Sequence, residues 1–148
     1  MQENEWGIVY VGIKGLEAFN EVYGFVAGDE VLRFTGMVMG ETVDELGTPD
    51  DFIGHIGGDD FLIITEKGRV QSIARDLASR FSKEIGTHYD FKARQRGYIT
   101  VEDDEGNERE VGLMELTMGF ITSEDGPFTD IREITEAAAN ARREGNRS

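Results

Sequence analysis

FIGHIGGDDFLIIT, residues 52–65, contains two apolar runs, at 52–56 and 61–64, on either side of the tetrapeptide GGDD. Runs rich in aromatic and β-branched residues and bounded by glycine are typical of strands, and so short a connection predicts a tight hairpin. Glycine in the connection permits a positive φ and lets a ligand approach the backbone. Adjacent carboxylates repel each other unless water, a cation or hydrogen-bond donors hold them. The hairpin alone leaves two interpretations open, a solvated turn and a metal or phosphate site.

The composition limits the classes of function. The 148 residues are enough for one domain, and the absence of cysteine excludes disulfides, thiolate catalysis and a cysteine zinc site. The net charge of −15 repels nucleic acid and anionic membranes, so neither is expected as a partner. A nucleotide site must therefore be prepared locally by basic groups or a cation. The sequence has no bilayer-spanning apolar run and no signal-peptide pattern, which favours a cytoplasmic location without membrane insertion.

The first half of the chain is predicted to form a strand and two helices before the hairpin. Residues 6–13 are almost continuously apolar, as in a buried central strand. Residues 16–23 have apolar positions at helical spacing, and a glycine at 24 ends that helix. A second helix is predicted to begin at Gly28, with Asp29 as its N-cap, and to stop at residues 47–49.

The second half is predicted to contain a long helix, a hairpin, a strand and a final helix. Residues 70–85 show the clearest amphipathic repeat. Residues 87–111 are polar and indicate a protruding hairpin with its turn at 103–107, followed by a strand at 113–122 and a helix at 130–144. The order predicts a single α/β (α+β) domain over 1–148, with a mainly antiparallel central sheet and helices packed on it.

Several motifs together resemble the GGDEF domain, the diguanylate cyclase family. GGDDF at 57–61 is similar to the family signature, with aspartate for glutamate at the fourth position. VGIKGLEAFNEVYGFVAGDEVL at 11–32 resembles the first strand and following helices, and LTMGF at 116–120 and ARREG at 141–145 resemble later motifs. The resemblance implies a ferredoxin-like palm, as in nucleotide cyclases.

The resemblance also concerns what surrounds the domain. The family's segment before its first strand has no counterpart here, so we expect the chain to be excised from, or attached to, a longer signalling protein with an upstream sensor or partner domain. Residues 87–111 look like an inserted hairpin region relative to the commonest family pattern. Two copies of a family domain face each other during catalysis, which implies a homodimer.

The family joins two GTP molecules into cyclic di-GMP, so its site must hold guanine. Asn20 and Asp29 match the family's two base-contacting residues. A carboxylate accepts from guanine N1–H and the N2 amine, while an amide both donates and accepts. The alternative is that Asp29 is only an N-cap and Asn20 only a polar residue near a helix end.

The family's metal site is altered in this sequence. Gly12 stands where the family has its first-strand metal ligand, and Lys14 stands where it has a second aspartate. Asp59 and the carbonyl of Ile13 remain as ligands, so Mg²⁺ is expected to bind weakly if at all. We expect the ammonium of Lys14 partly to occupy the place of the cation; the alternative is that it points into solvent.

The remaining site residues concern the phosphates and the reaction. Gly57, Gly58 and Lys14 are predicted to contact the nucleotide, together with Arg142, which replaces the lysine of the family's AKxxG motif. Asp59 and Asp60 are the predicted catalytic carboxylates. Asp60 is one methylene shorter than the family's glutamate, and a misplacement of about 1 Å can cost about a hundredfold in rate.

The sequence does not favour a product-inhibition site or a histidine metal site. The family's inhibitory RxxD motif falls on residues 48–51, where Asp51 matches and the arginine does not, so product feedback is not expected there. His55 and His88 are far apart in sequence, and packing is the favoured interpretation of both.

Three functions are consistent with these observations. The favoured one is a degenerate GGDEF domain of cyclic di-GMP signalling, which binds GTP or a related guanine nucleotide in a regulatory role with little or no cyclase activity. One alternative is an active diguanylate cyclase, and another is a non-catalytic dimerisation or interaction module.

Overall fold

The computed structural model describes residues 5–125. The strands within this range are β1 (Trp6–Lys14), β2 (Phe52–Ile56), β3 (Asp60–Glu66), β4 (Tyr98–Glu102), β5 (Glu108–Gly112) and β6 (Glu115–Thr122). The α-helices within it are α1 (Leu16–Tyr23), α2 (Phe25–Leu46), α3 (Val70–Glu84) and α4 (Phe91–Arg96). The predicted helix at 130–144 lies outside the described residues.

The central sheet has the strand order β2-β3-β1-β6, and every neighbouring pair is antiparallel. The predicted central position of β1 and the predicted β2–β3 hairpin are both confirmed. Val11 is the last β1 residue that pairs with β3, opposite Phe61, whereas pairing with β6 continues to Lys14 opposite Glu115. The end of β1 therefore extends beyond β3 toward the β2–β3 turn.

The two faces of the sheet carry separate apolar clusters. Val9 and Val11 of β1 are fully buried and belong to the larger cluster, which also contains buried residues of α1, α2 and α3. The alternate residues Ile8 and Tyr10 belong to a smaller buried cluster on the other face. Antiparallel strands with helices packed on the sheet confirm the predicted α/β architecture.

The second helix begins earlier than predicted. Gly24 has φ 92°, and its N–H donates to the Asn20 carbonyl at 2.8 Å, which ends α1. The N–H of Gly28 already donates to the Gly24 carbonyl at 3.1 Å, so the chain re-enters a helix at Phe25. The predicted start at Gly28 and the N-cap role of Asp29 are therefore wrong, and both residues lie inside the first turns of α2.

Residues 87–111 contain more structure than predicted. A 3₁₀ turn at Ile85–His88 leads to α4, whose N-cap Asp90 accepts a hydrogen bond from the Ala93 N–H at 2.9 Å. The β4–β5 hairpin is confirmed, but it is not simply protruding, because Ile99 and Val101 are buried in the main core. That the region is an insertion relative to the family stays a prediction.

Across residues 5–125, every helix is too short or too polar to span a bilayer.

Candidate functional site

The turn between β2 and β3 presents the GGDD sequence at one end of the sheet. Gly57 has φ 64°, a conformation that favours glycine, whereas Gly58 does not need one. An added Cβ at either position would meet no described atom within 4 Å, so the turn is open to a ligand. His55 Nε2 donates to the Gly58 carbonyl at 3.1 Å, and its ring stacks on Phe61 at 4.5 Å between centroids. His55 is thus an exposed edge residue with a local partner.

The two predicted catalytic carboxylates are not equivalent. Asp59 is exposed in the turn, while Asp60 begins β3 and is half-buried. Asp60 Oδ2 accepts a hydrogen bond from the Tyr10 hydroxyl at 3.1 Å. The sequence reasoning missed Tyr10, although its position two residues before Gly12 places both on the same face of β1.

The end of β1 lies against this turn. The β1–β3 pairing ends at Val11 opposite Phe61, so Gly12, Ile13 and Lys14 follow the last paired residue of β1, and Asp59 and Asp60 precede that of β3. Gly12 is buried, and Lys14 is exposed at the last position of β1. The predicted metal ligands Asp59 and Ile13 therefore both lie at this end of the β1–β3 pair, as does Lys14.

The side chains at this strand end offer a metal ion two carboxylates, those of Asp59 and Asp60. Mg²⁺ requires near-octahedral oxygen coordination and usually takes one or two carboxylates besides phosphate. Gly12 supplies no side-chain oxygen, and Asp60 accepts from Tyr10. Within residues 5–125, no group of three or more Asp, Glu, His or Cys side chains is arranged to hold a metal.

A second group of predicted residues lies at the α1–α2 junction. Asn20 is half-buried near the end of α1, and its Oδ1 is buried without a hydrogen-bond partner. A Cβ added to Gly28 would lie 1.9 Å from Asn20 Oδ1 and 2.8 Å from its Cγ, so the carboxamide packs against the bare backbone of α2. Asp29 follows Gly28 directly and is exposed. The role of Gly28 in admitting the carboxamide was not predicted.

Aromatic side chains of helix α1 contact residues 87–111 by packing and by a hydrogen bond. The Tyr23 hydroxyl donates to Asp90 Oδ2 at 2.7 Å, and Phe19 packs edge-on against Tyr89 at 5.1 Å. The Ala93 N–H and then the Tyr23 hydroxyl lower the pKa of Asp90. Burial and the Asp90 carboxylate raise the pKa of Tyr23. Asn20 thus lies on a turn of α1 whose residues Phe19 and Tyr23 both contact residues 87–111.

The remaining residues singled out from the sequence lie outside these two groups or outside the described residues. Asp51 is not available as half of an inhibitory site, because its carboxylate accepts from the Thr48 backbone and hydroxyl at 3.1 and 2.7 Å and from the Thr65 hydroxyl at 2.8 Å. His88 packs on Phe34, with 4.9 Å between ring centroids. Arg142 lies outside the described residues.

The sequence matches a known protein family over nearly its whole length. The family model described as "Diguanylate cyclase, GGDEF domain" matches residues 1–146. No curated protein matches the chain.

Solved structures of low sequence identity share the fold. The GGDEF domain of DgcB from Caulobacter crescentus, in complex with c-di-GMP, is 19% identical, with a TM-score of 0.63 over 96% of this chain and 72% of that chain. The active GGEEF domain of a Vibrio cholerae diguanylate cyclase is 18% identical, with a TM-score of 0.67 over 96% and 76%. Diguanylate cyclase SiaD from Pseudomonas aeruginosa, solved with its activator SiaC, is 13% identical, with a TM-score of 0.67 over 99% and 48%.

The family model covers nearly the whole sequence, and the described residues share the fold of these solved domains. This chain therefore belongs to the GGDEF domain family of diguanylate cyclases.

Proposed function

We propose that this GGDEF domain binds GTP or a related guanine nucleotide in a regulatory role and has little or no cyclase activity. The observation that carries the proposal is the unpartnered Oδ1 of Asn20, which lies against Gly28, the residue before Asp29. A buried acceptor without a donor costs about 1–3 kcal/mol, so its presence calls for an explanation. A bound base that donates a hydrogen bond to this oxygen would remove that cost.

Guanine is the base that fits the two side chains. The exposed carboxylate of Asp29 can accept from both N1–H and the N2 amine, and the Asn20 carboxamide can accept through Oδ1 and donate to a ring acceptor. Adenine lacks the N1–H and N2 donors, so it would leave Asp29 facing an acceptor. Selectivity for guanine over adenine is therefore the first property that the proposal requires.

The residues proposed to contact the nucleotide phosphates are better suited to binding the nucleotide than to catalysing the cyclase reaction. A bound Mg²⁺ would be held by Asp59 and the Ile13 carbonyl, and it would supply charge neutralisation at the phosphates. Since these donors fit the ion poorly, Lys14 and the open backbone at Gly57 and Gly58 are proposed to contact the phosphates instead. An ammonium can pair with a phosphate oxygen, but it cannot lower the pKa of a hydroxyl as a metal does. Arg142 is proposed as a further phosphate contact.

An active cyclase is the second candidate, because the fold and the family are those of diguanylate cyclases. In that case Asp59, Asp60 and Arg142 would suffice for the reaction, and two copies of the domain would meet. A purely structural dimerisation or interaction module is the third candidate. It predicts no nucleotide binding and leaves the contact between Asn20 and Gly28 as packing.

Calorimetric titration distinguishes the three candidates. GTP and ATP are titrated into the purified domain, with Mg²⁺ and then with EDTA, and the Mg²⁺ sample is assayed for cyclic di-GMP. The proposal expects GTP to bind at least about tenfold more tightly than ATP, a difference of about 1.4 kcal/mol, in both buffers and without product. Product formation with Mg²⁺ would establish the enzyme. Equal affinity for both nucleotides would refute base recognition.

A further inference from the structure

The start of α2 exposes two large apolar side chains. Phe25 is 78% exposed and Val26 is 80% exposed, although both stand at the beginning of a helix that buries Val31, Phe34, Val38 and Met39 in the core. Leaving an aromatic ring in water forgoes the stabilisation that its burial would give. The ring is close enough in sequence to Asp29 to contact a ligand that Asp29 binds.

Phe25 and Asp29 are neighbours on the surface of α2. They are four residues apart, which brings side chains onto the same face with Cβ atoms about 5–6 Å apart. Side chains on a helix lean toward its N-terminus, so the Asp29 carboxylate leans toward the turn that carries Phe25. Gly28, which contacts Asn20, lies three residues after Phe25 and therefore on the same side.

We infer that the ring of Phe25 is a stacking face for the base that Asn20 and Asp29 recognise. The inference rests on the proposed function, since it assumes that a guanine base occupies this junction. A planar base whose edge bonds to the Asp29 carboxylate presents one of its faces toward the adjacent turn, where Phe25 stands. Base–aromatic stacking adds affinity for any base, because every base has a π face, while Asn20 and Asp29 select guanine.

Val26 provides a matched control. It is as exposed as Phe25 and belongs to the same turn, but it lies about 160° round the helix from Gly28, the residue that contacts Asn20, whereas Phe25 lies only about 60° from Gly28. Removing either side chain takes away exposed apolar surface and little packing. A difference between the two variants therefore reports on the direction in which Phe25 points and not on apolarity in general.

The experiment measures GTP and GMP binding to the parent domain, Phe25→Ala and Val26→Ala by calorimetry, with folding checked by thermal melts. Phe25→Ala is expected to weaken both nucleotides about fivefold to a hundredfold, the range measured for loss of base stacking, and Val26→Ala less than about twofold. The nucleotide H8 proton is expected to show an upfield NMR ring-current shift with the parent, and a smaller one with Phe25→Ala.

The outcomes separate this inference from the proposed function. If the parent binds GTP selectively while Phe25→Ala binds it equally well and the H8 shift is unchanged, the stacking role is overturned and the proposed function stands. The same conclusion follows if Val26→Ala weakens binding as much as Phe25→Ala. If the parent binds no guanine nucleotide, both proposals fail together.

Discussion

The carboxamide of Asn20 and the backbone of Gly28 are in such close contact that a Cβ at position 28 would lie 1.9 Å from Asn20 Oδ1. This contact couples the end of α1 to the first turns of α2. It also places the carboxamide against the residue that precedes Asp29, the other residue proposed to recognise guanine. Any side chain at position 28 must move Asn20 out of its present position.

Gly28→Ala is therefore expected to damage both packing and binding. The new methyl group overlaps the carboxamide, and overpacking of this kind costs about 1–3 kcal/mol of unfolding free energy. With Asn20 displaced, GTP affinity is expected to fall at least about tenfold, or 1.4 kcal/mol. Urea denaturation and calorimetric titration measure the two effects separately.

Gly36→Ala is the matched control for that variant. Gly36 lies in the same helix, and an added Cβ there meets no described atom within 4 Å. Replacing a helix-interior glycine with alanine in open space is expected to raise stability by about 0.5–1 kcal/mol and to leave GTP binding unchanged. If Gly28→Ala behaves like Gly36→Ala, the contact with Asn20 has no role in the site.

Asp29→Asn is expected to change which base is bound. The carboxylate accepts from both N1–H and the N2 amine of guanine, whereas an amide accepts from one group and donates to the other. Xanthine has an N1–H and a carbonyl oxygen in place of the amine, so it complements asparagine. GTP should weaken by about 1.5–3 kcal/mol, the worth of a charge-assisted hydrogen bond, and xanthosine triphosphate should bind more tightly than GTP.

Glu30→Gln removes the same charge from the neighbouring position and serves as the control. Glu30 pairs with Arg33 on the exposed surface of α2, where an ion pair contributes little. Its GTP affinity should stay within about twofold of the parent. A preference for GTP that survives in Asp29→Asn would remove Asp29 from the recognition site.

The predictable parts of the fold were those determined by local pattern. Two apolar runs around GGDD were enough to predict the hairpin, and the helical repeat at 70–85 was enough to predict α3. The start of α2 was mispredicted because Gly28-Asp29 has the form of a good N-cap. The helix is in fact set by the positive φ of Gly24, a backbone conformation that the sequence does not display.

The less predictable parts depend on contacts between distant residues. Tyr10 meets Asp60 because the β1–β3 register brings together residues 50 positions apart. Residues 87–111 are polar enough to suggest a protruding hairpin, yet Ile99 and Val101 are buried in the main core. Asn20 and Asp29 could be chosen from the motif, but the buried oxygen and its fit against Gly28 became visible only once α1 and α2 were packed.

Placing aspartates at positions 12 and 14, where the family has them, tests whether Gly12 and Lys14 weaken the metal site. In a double variant carrying Gly12→Asp and Lys14→Asp, the new side chains share one face of β1 and lie close to the β2–β3 turn. Repulsion among the clustered carboxylates should destabilise the domain in EDTA. Mg²⁺ should reverse that loss and raise the melting temperature, because an ion that binds only the folded state stabilises it.

The parent provides the comparison in the same buffers. Its melting temperature with GTP should change little between Mg²⁺ and EDTA. Lys14→Asp alone is a second comparison, since Lys14 is exposed and its replacement does not crowd the interior. If the double variant folds but gains no response to Mg²⁺, Gly12 and Lys14 do not account for a weakened metal site.

The Tyr23–Asp90 hydrogen bond makes the attachment of α1 depend on pH. The Ala93 N–H and the Tyr23 hydroxyl favour the ionised form of Asp90 and lower its pKa in the folded protein. A lowered pKa stabilises the fold fully above the unfolded-state value of about 3.9 and loses that contribution as the pH falls through the folded-state value. Asp90→Asn keeps an N-cap and cannot ionise, so its stability should fall less steeply than that of the parent below about pH 4.

Denaturation of the parent, Asp90→Asn and Tyr23→Phe between pH 7 and pH 3 measures this dependence. Tyr23→Phe should give an intermediate slope, because it removes the phenol but leaves the Ala93 N–H, the larger cause of the shift. Some dependence should remain in Asp90→Asn, since backbone N–H groups also lower the pKa of Asp103 in the β4–β5 turn. Identical slopes for all three proteins would mean that Asp90 does not couple α1 to residues 87–111 through its charge. A different outcome is that Asp90→Asn shows a flatter dependence of stability on pH and also binds GTP more weakly at pH 7. That result would mean that the Tyr23–Asp90 hydrogen bond helps to position Asn20, which lies about one helical turn before Tyr23.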